Sequence, residues 1–263
     1  MTLTFPVLFG LQLNLFLMVF MRMNGLFLFN PIMGRENVPV PIRLGLGFLC
    51  ALVVTPTLTD IKVEINNYVQ LIVMSLGEIF IGLAIGVVVA LIVYTVQVAG
   101  ELIDAQMGLT LAQIYDPRTG ANMPLFGIFF NIIMICGFFI GGAHLSLISF
   151  ISDSFRLVAP GAVVPTQQSM RFIFAMGKDY FEFGLRLAIP VVAVEVISQL
   201  AIGMIMKAVP SVNIFTIGMH LTALVGLLIL FVTMTAFVTA CGQLITFLIE
   251  KAAEVIKLIA AGT

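Results

Sequence analysis

Charge is what this sequence has least of. Of 263 residues only 10% are Asp, Glu, Lys or Arg, against about 25% in an ordinary soluble domain. Twelve basic and thirteen acidic side chains cannot clothe a water-soluble globule of this length. The chain is therefore a membrane protein, or one buried inside an assembly. A net charge of −1 removes the basic footprint that nucleic-acid binding requires, so no nucleic-acid partner is expected. Cysteine is scarce as well. Cys50, Cys136 and Cys241 lie far apart in apolar runs with no CxxC pair, which excludes a zinc site or disulfide scaffold and leaves small apolar packing residues. The N-terminal MTLTFPVLFGLQLNLFLMVFMRMNG lacks a basic n-region and a small-residue cleavage site, and reads as a retained first helix. There is no phosphate-binding loop, dinucleotide fingerprint, GxSxG elbow or HExxH. His144 and His220 stand alone in apolar stretches. Packing explains them better than metal ligation, and no catalytic residue, cofactor or metal is expected.

What is abundant is apolar bulk: 61% of residues, with a mean hydropathy of +1.18. Disorder and collagen are excluded on that ground. Charge-poor stretches run over roughly 3–29, 42–59, 67–100, 124–152, 186–209 and 212–249, each near or above the ~20 residues a spanning helix needs. Pro31, GRENVPVP (34–41), Pro56, Asp116-Pro117, Pro160-Gly161, Pro165 and Pro210 separate them. Lipid accepts only helices or closed barrels, and no ten-residue alternation marks a barrel. The expected fold is all-α and membrane-associated, with long kinked helices and helical hairpins.

Two regions are too long for simple spans. From Val209 to Ile249 no Asp, Glu, Lys or Arg appears; as one helix those ~41 residues reach about 60 Å, twice a bilayer core of about 30 Å. The proline-free region from about Tyr68 to Gln113 is similar. Neither carries a turn signal, so long helices are expected. The basic residues also sort poorly across a six-span drawing. Arg35, Arg43, Arg118 and Lys207 fall on one side, and Lys62, Arg156, Arg171, Lys178, Lys251 and Lys257 on the other. That excess weakly favours cytoplasmic termini.

Ionisable residues in apolar context are functional suspects because burying them in a membrane costs about 2.5–3.5 kcal/mol each. They are Glu78, Glu101, Asp104, Glu195, Arg22 and Arg186. Glu101 and Asp104 share a helix face at i,i+3, next to a polar interruption, and are the candidates for a lumen-facing position. The segment QMGLTLAQIYDPRTGANMPLF (106–126) sets apolar Leu109, Leu111 and Ile114 before a break between two long helices. An apolar connection of that kind is stable only when covered by protein, which makes it a candidate plug or gasket. The fifteen methionines and twenty-three phenylalanines are otherwise read as helix packing.

That segment, followed by GGAHLSLISFISDSFRLVAPG (141–161), resembles the signature region of the FliR/SctT family of type III secretion export gates. RMNGLFLFNPIMGRENVPVPIRLGLGFLCALVVTP (22–56), AGELIDAQMGL (99–109) and MKAVPSVNIFTIGMHLTALVGLLIL (206–230) are similar to further family blocks in the same order. The first and last of these look flagellar. The resemblance implies a FliP-like unit over 1–165 and a FliQ-like long helical hairpin over 166–263. It implies a single copy in a hetero-oligomer with FliP and FliQ, beside FlhB and the basal-body MS-ring proteins, in the bacterial inner membrane. Unfolded flagellar export substrates pass through such a gate, and inner-membrane lipid meets part of its surface. The family is not enzymatic.

Carried onto this chain, the resemblance puts the plug loop at about 107–122. Met107, Leu109, Leu111 and Ile114 are then the pore-blocking side chains, and Gly108 and Gly120 supply freedom of rotation. Tyr115 falls within it, and Asp116 and Pro117 fix the turn that follows. Some relatives carry aromatic side chains where this chain has Leu111 and Ile114, so the seal would rest on aliphatic bulk. The alternatives are a virulence-type export-gate subunit, and a proton-coupled secondary transporter built on Glu78, Glu101, Asp104 and Glu195. No convincing internal repeat supports the transporter.

Overall fold

A computed structural model describes residues 5–32, 38–58, 60, 61, 63, 65, 67–110, 124–161, 167–208 and 218–260. Among them the regular structure is helical, as the sequence requires. The helices are α1 (Phe5–Phe29), α2 (Val40–Val54), α3 (Tyr68–Gln106), α4 (Leu125–Ile140), α5 (Ala143–Leu157), α6 (Gln167–Ala208) and α7 (Met219–Ala260). Among the described residues four stretches are long and apolar enough to cross a membrane: Val40–Leu58, Tyr68–Gln106, Gln167–Ile205 and His220–Ala260. The pair α4 and α5 makes a fifth if counted as one broken span.

Proline and glycine punctuate the chain largely where the sequence implies. Pro39 and Pro41 start α2, where a missing N–H costs nothing. Pro56 lies in the 3-10 turn Thr55–Leu58 that closes it. The two over-long regions are long helices, not hairpins. α3 runs unbroken for 39 residues past Gly77, Gly82 and Gly86, about 58 Å at 1.5 Å per residue. α7 runs for 42.

Three boundaries differ from the hydropathy reading. The charged stretch before residue 186 is not a connector but the first half of α6. Lys178, Asp179, Glu182 and Arg186 are exposed there, while Met176, Tyr180, Gly184 and Ala188 are buried at four-residue spacing. A hydropathy window sees charge, whereas the helical period sees an amphipathic face. Pro190 then lies inside α6, where it removes one backbone hydrogen bond. α7 likewise continues past Ile249, because Leu248, Ala252, Val255 and Ile259 are buried between the charges. Conversely, the single span 124–152 is two helices. Gly142 adopts φ 68° at the break, a left-handed conformation that glycine supplies without a side-chain clash.

The chain divides into two compact units, each discontinuous in sequence. The first comprises Met1–Leu91, Phe139–Gly177 and Thr246–Thr263. Its core joins Met18, Met23 and Phe27 of α1, Ile81 and Ile85 of α3, Leu147 and Phe155 of α5, and Val255 of α7. Phe48 of α2 meets the rings of Phe16 and Phe20 of α1 edge-on, with centroids 5.5 and 6.1 Å away.

The second unit comprises Ile92–Phe138 and Lys178–Ile245. Here Ile92, Val96, Ala99 and Ile103 of α3 are buried with Phe130 and Met134 of α4, Val191 of α6 and Leu230 of α7. Phe130 stacks on Phe237 of α7 at 3.8 Å between centroids. A cavity of about 120 Å³ beside this pair is lined by Ile103, Pro190, Val191 and Leu230 among others. Of the cysteines, Cys241 is buried and Cys50 half-buried, but Cys136 is exposed, so packing within the chain accounts for only two.

Candidate functional site

The second unit assembles the ends of the 106–126 segment. α3 stops at Gln106 because Gly108 turns left-handed, with φ 74°. The amide of Met107 still donates to Ile103 O at 2.9 Å, and that of Gly108 to Ala105 O at 3.3 Å. This is the glycine C-cap that commonly ends a helix. On the far side of the segment α4 begins at Leu125, behind Pro124. Its first amides have no partner within the helix, and Asp104 supplies one: Oδ2 accepts the Phe126 N–H at 2.9 Å. A carboxylate at a helix N-terminus is favoured by the helix dipole as well as by the bond itself.

The two helices touch at backbone distance here. A methyl group on Gly100 would press into the Gly127 backbone nitrogen and lie 2.5 Å from its Cα. Only glycine permits that approach. So α3 and α4 meet at Gly100 and Gly127, are tied by Asp104, and the segment between them leaves and returns at one place.

α6 and α7 grip the same place. The Gln199 side chain donates to Gln106 O at 3.1 Å, satisfying one of the orphan carbonyls that end α3. Gly226 of α7 leaves room for two side chains at once. A methyl there would sit 2.6 Å from Glu195 Oε1 and 2.7 Å from Met107 Cγ. Glu195 is completely buried, and among the described residues neither of its carboxylate oxygens has a hydrogen-bond partner.

The sequence-derived residues distribute as follows. Met107 is buried at the base of the segment, and Gly108 and Leu109 are half-buried. Leu111, Ile114, Tyr115, Asp116, Pro117 and Gly120 lie outside the described residues. Glu101 and Asp104 share a helix but not an environment. Glu101 is exposed and accepts from Gln97 at 2.9 Å, whereas Asp104 is buried against α4. No local pattern in the sequence announces the contacts of Gly127 and Gln199, while Gly100 and Gly226 fall within the blocks 99–109 and 206–230 without a stated role.

Glu78 belongs to a different cluster, in the first unit. Arg22 Nε donates to Glu78 Oε2 at 2.6 Å, Nη1 to Ser154 Oγ at 2.7 Å and Nη2 to Val158 O at 3.4 Å. Glu78 Oε1 accepts the Gly161 N–H at 3.0 Å, and the guanidinium stacks 3.7 Å from the Phe155 ring centre. Both charged side chains are fully buried. The helices approach closely beside the pair: a methyl on Gly82 would collide with Arg22 O and lie 2.9 Å from Gly25 Cα. Two suspect charges thus compensate each other and join α1, α3 and α5. Arg186 is exposed and pairs with Glu182 at 2.6 Å. His144 lies 5.2 Å from the Phe139 ring, as a packing histidine would. Among the described residues no three His, Cys, Asp or Glu side chains gather to hold a metal ion.

Among the described residues, helices alone and several of them long and apolar enough to cross a membrane define an all-α membrane protein. Residues 13–248 match the family described as bacterial export proteins, family 1. The chain belongs to that family, which is the FliR/SctT family its motifs resemble. It is 29% identical over 248 residues to the flagellar biosynthetic protein FliR of Bacillus subtilis, covering 93% of this chain and 95% of that one. With the FliR protein of Pectobacterium carotovorum it shares 31% identity over 211 residues, 80% of each chain. The secretion system apparatus protein SsaT of Salmonella typhimurium is 27% identical over 158 residues, 60% of this chain and 61% of that one.

Proposed function

We propose that this protein is a pore-forming subunit of the flagellar type III secretion export gate, with the segment at 107–122 as its plug. Family membership across residues 13–248 carries the reading. The flagellar relatives match along 93% of the chain and the secretion-apparatus protein along 60%, which favours a flagellar over a virulence role. The subunit acts by structure, without catalysis. It assembles as one copy with FliP and FliQ in the bacterial inner membrane, next to FlhB and the MS ring of the basal body. Residues 1–165 form its FliP-like part and 166–263 its FliQ-like hairpin.

The shape of the apolar surface supports assembly. The spanning windows of α6 and α7 are each only 22% buried within the chain, against 61% for α3. The uncharged run of α7 from Met219 to Ile249 extends about 46 Å, more than a hydrocarbon layer of about 30 Å covers. Partner subunits cover the remainder, with Leu227 and Phe231 among the exposed side chains they meet.

The test is the mass of the particle extracted in mild detergent after co-expression with the neighbouring genes. A particle several times the 28.5 kDa chain, containing other small membrane proteins, is expected. A monomer or homodimer that takes up a solute would replace this reading with the transporter.

A further inference from the structure

Among the described residues two glutamates are fully buried, and only one of them has a counter-charge. Glu78 is held by Arg22 and by the Gly161 amide. Glu195 is buried to the same degree, and among the described residues neither of its oxygens meets a donor. Its side chain occupies the space that Gly226 of α7 leaves open, beside Met107. Apolar surroundings do not keep a lone carboxylate ionised; the group takes up a proton instead. We infer that Glu195 is a proton-binding site, standing as a neutral carboxylic acid within the span Gln167–Ile205. This holds whether or not the chain lines a pore.

Each helix of the second unit offers the carboxyl either no charge or the wrong one. On α6 the nearest bases are Arg186 and Lys207, about 13 and 18 Å away along the axis. Both are exposed, and Arg186 is engaged with Glu182. Gln199, one turn from Glu195, directs its amide to Gln106 O. On α7 no Asp, Glu, Lys or Arg occurs from Met219 to Ile249. Its titratable groups there are His220, which is exposed, and the buried Cys241. α4 carries no charged residue. α3 brings two acids, Glu101 and Asp104, and presents its C-terminal end, the negative end of the helix dipole. A second negative charge is disfavoured from that side, whereas a neutral acid is not.

The test uses the detergent-extracted particle co-expressed with its neighbouring genes. Its infrared spectrum at neutral pH is expected to contain a protonated-carboxyl C=O band that shifts in deuterium oxide and is missing from Glu195→Gln. Glu195→Met is the second variant, lacking the acid and filling the pocket with apolar bulk, and it loses the same band. Asp104→Asn retains the band, which separates the two acids. Thermal stability supplies an independent readout. The pocket suits the acid and not its anion, so the parent loses stability as alkali removes the proton, and Glu195→Gln loses less. Glu78→Gln, which strands Arg22, lowers the thermal midpoint at neutral pH, where Glu195→Gln does not. A carboxylate band in the difference between parent and Glu195→Gln, or a parent that alkali stabilises relative to Glu195→Gln, overturns the assignment.

Discussion

Replacing Arg22 by Ala is expected to remove about 3–5 kcal/mol of stability, the usual cost of leaving one member of a buried ion pair alone. The case rests on the completeness of the Arg22 network. Its guanidinium reaches Glu78, Ser154 and the Val158 carbonyl, and lies over Phe155. Truncation leaves the fully buried Glu78 carboxylate with the Gly161 amide but without its counter-charge. Glu78→Ala should cost a similar amount for the reciprocal reason. Replacing both by Leu should recover most of the loss, because neither charge is then stranded. Retention of a monodisperse peak on heating in detergent reports all four proteins. A double variant as unstable as the sum of the singles would mean the pair is not the coupled unit described.

The second large effect concerns glycine. Gly100→Val should separate α3 from α4, since even a methyl group at 100 runs into the Gly127 backbone. Backbone cannot swing away as a flexible side chain can, so the cost exceeds the ~1–3 kcal/mol of ordinary overpacking. Gly45 is the control: a methyl there meets nothing within 4 Å, and Gly45→Ala in α2 should be neutral or slightly stabilising through helix propensity. Limited proteolysis within 107–124 compares the two. Faster cleavage in Gly100→Val and unchanged cleavage in Gly45→Ala is the expected pattern. Equal rates would show that the contact at Gly100 does not restrain the segment.

How much of this was legible beforehand depends on which physical signal carried it. The helical class followed from composition, because lipid leaves few alternatives. The length of α3 followed from an absence, since nothing between Tyr68 and Gln106 asks for a turn. The start of α6 was hidden because hydropathy averages over faces: Lys178, Glu182 and Arg186 mask the buried row Met176, Tyr180 and Ala188. The break at Gly142 was hidden because Gly141-Gly142 reads equally well as a close-packing pair.

At the site, Glu78 and Arg22 were each conspicuous, but their partnership spans 56 positions, and no local pattern encodes it. Asp104 was marked as unusual, while its partner is a backbone amide that no side-chain motif announces. Gly226 and Gly127 looked like any other membrane-helix glycines. Their role exists only once a second helix is laid against them.

A plug between Met107 and Pro124 must block a channel to small ions. Membrane permeability to small ions, measured in cells whose gate carries the 110–118 deletion and whose particle assembles at the parent's mass, tests that most directly. A sharp rise in permeability with export components still assembled is the predicted result. Permeability equal to that of the parent, with the particle intact, would contradict it.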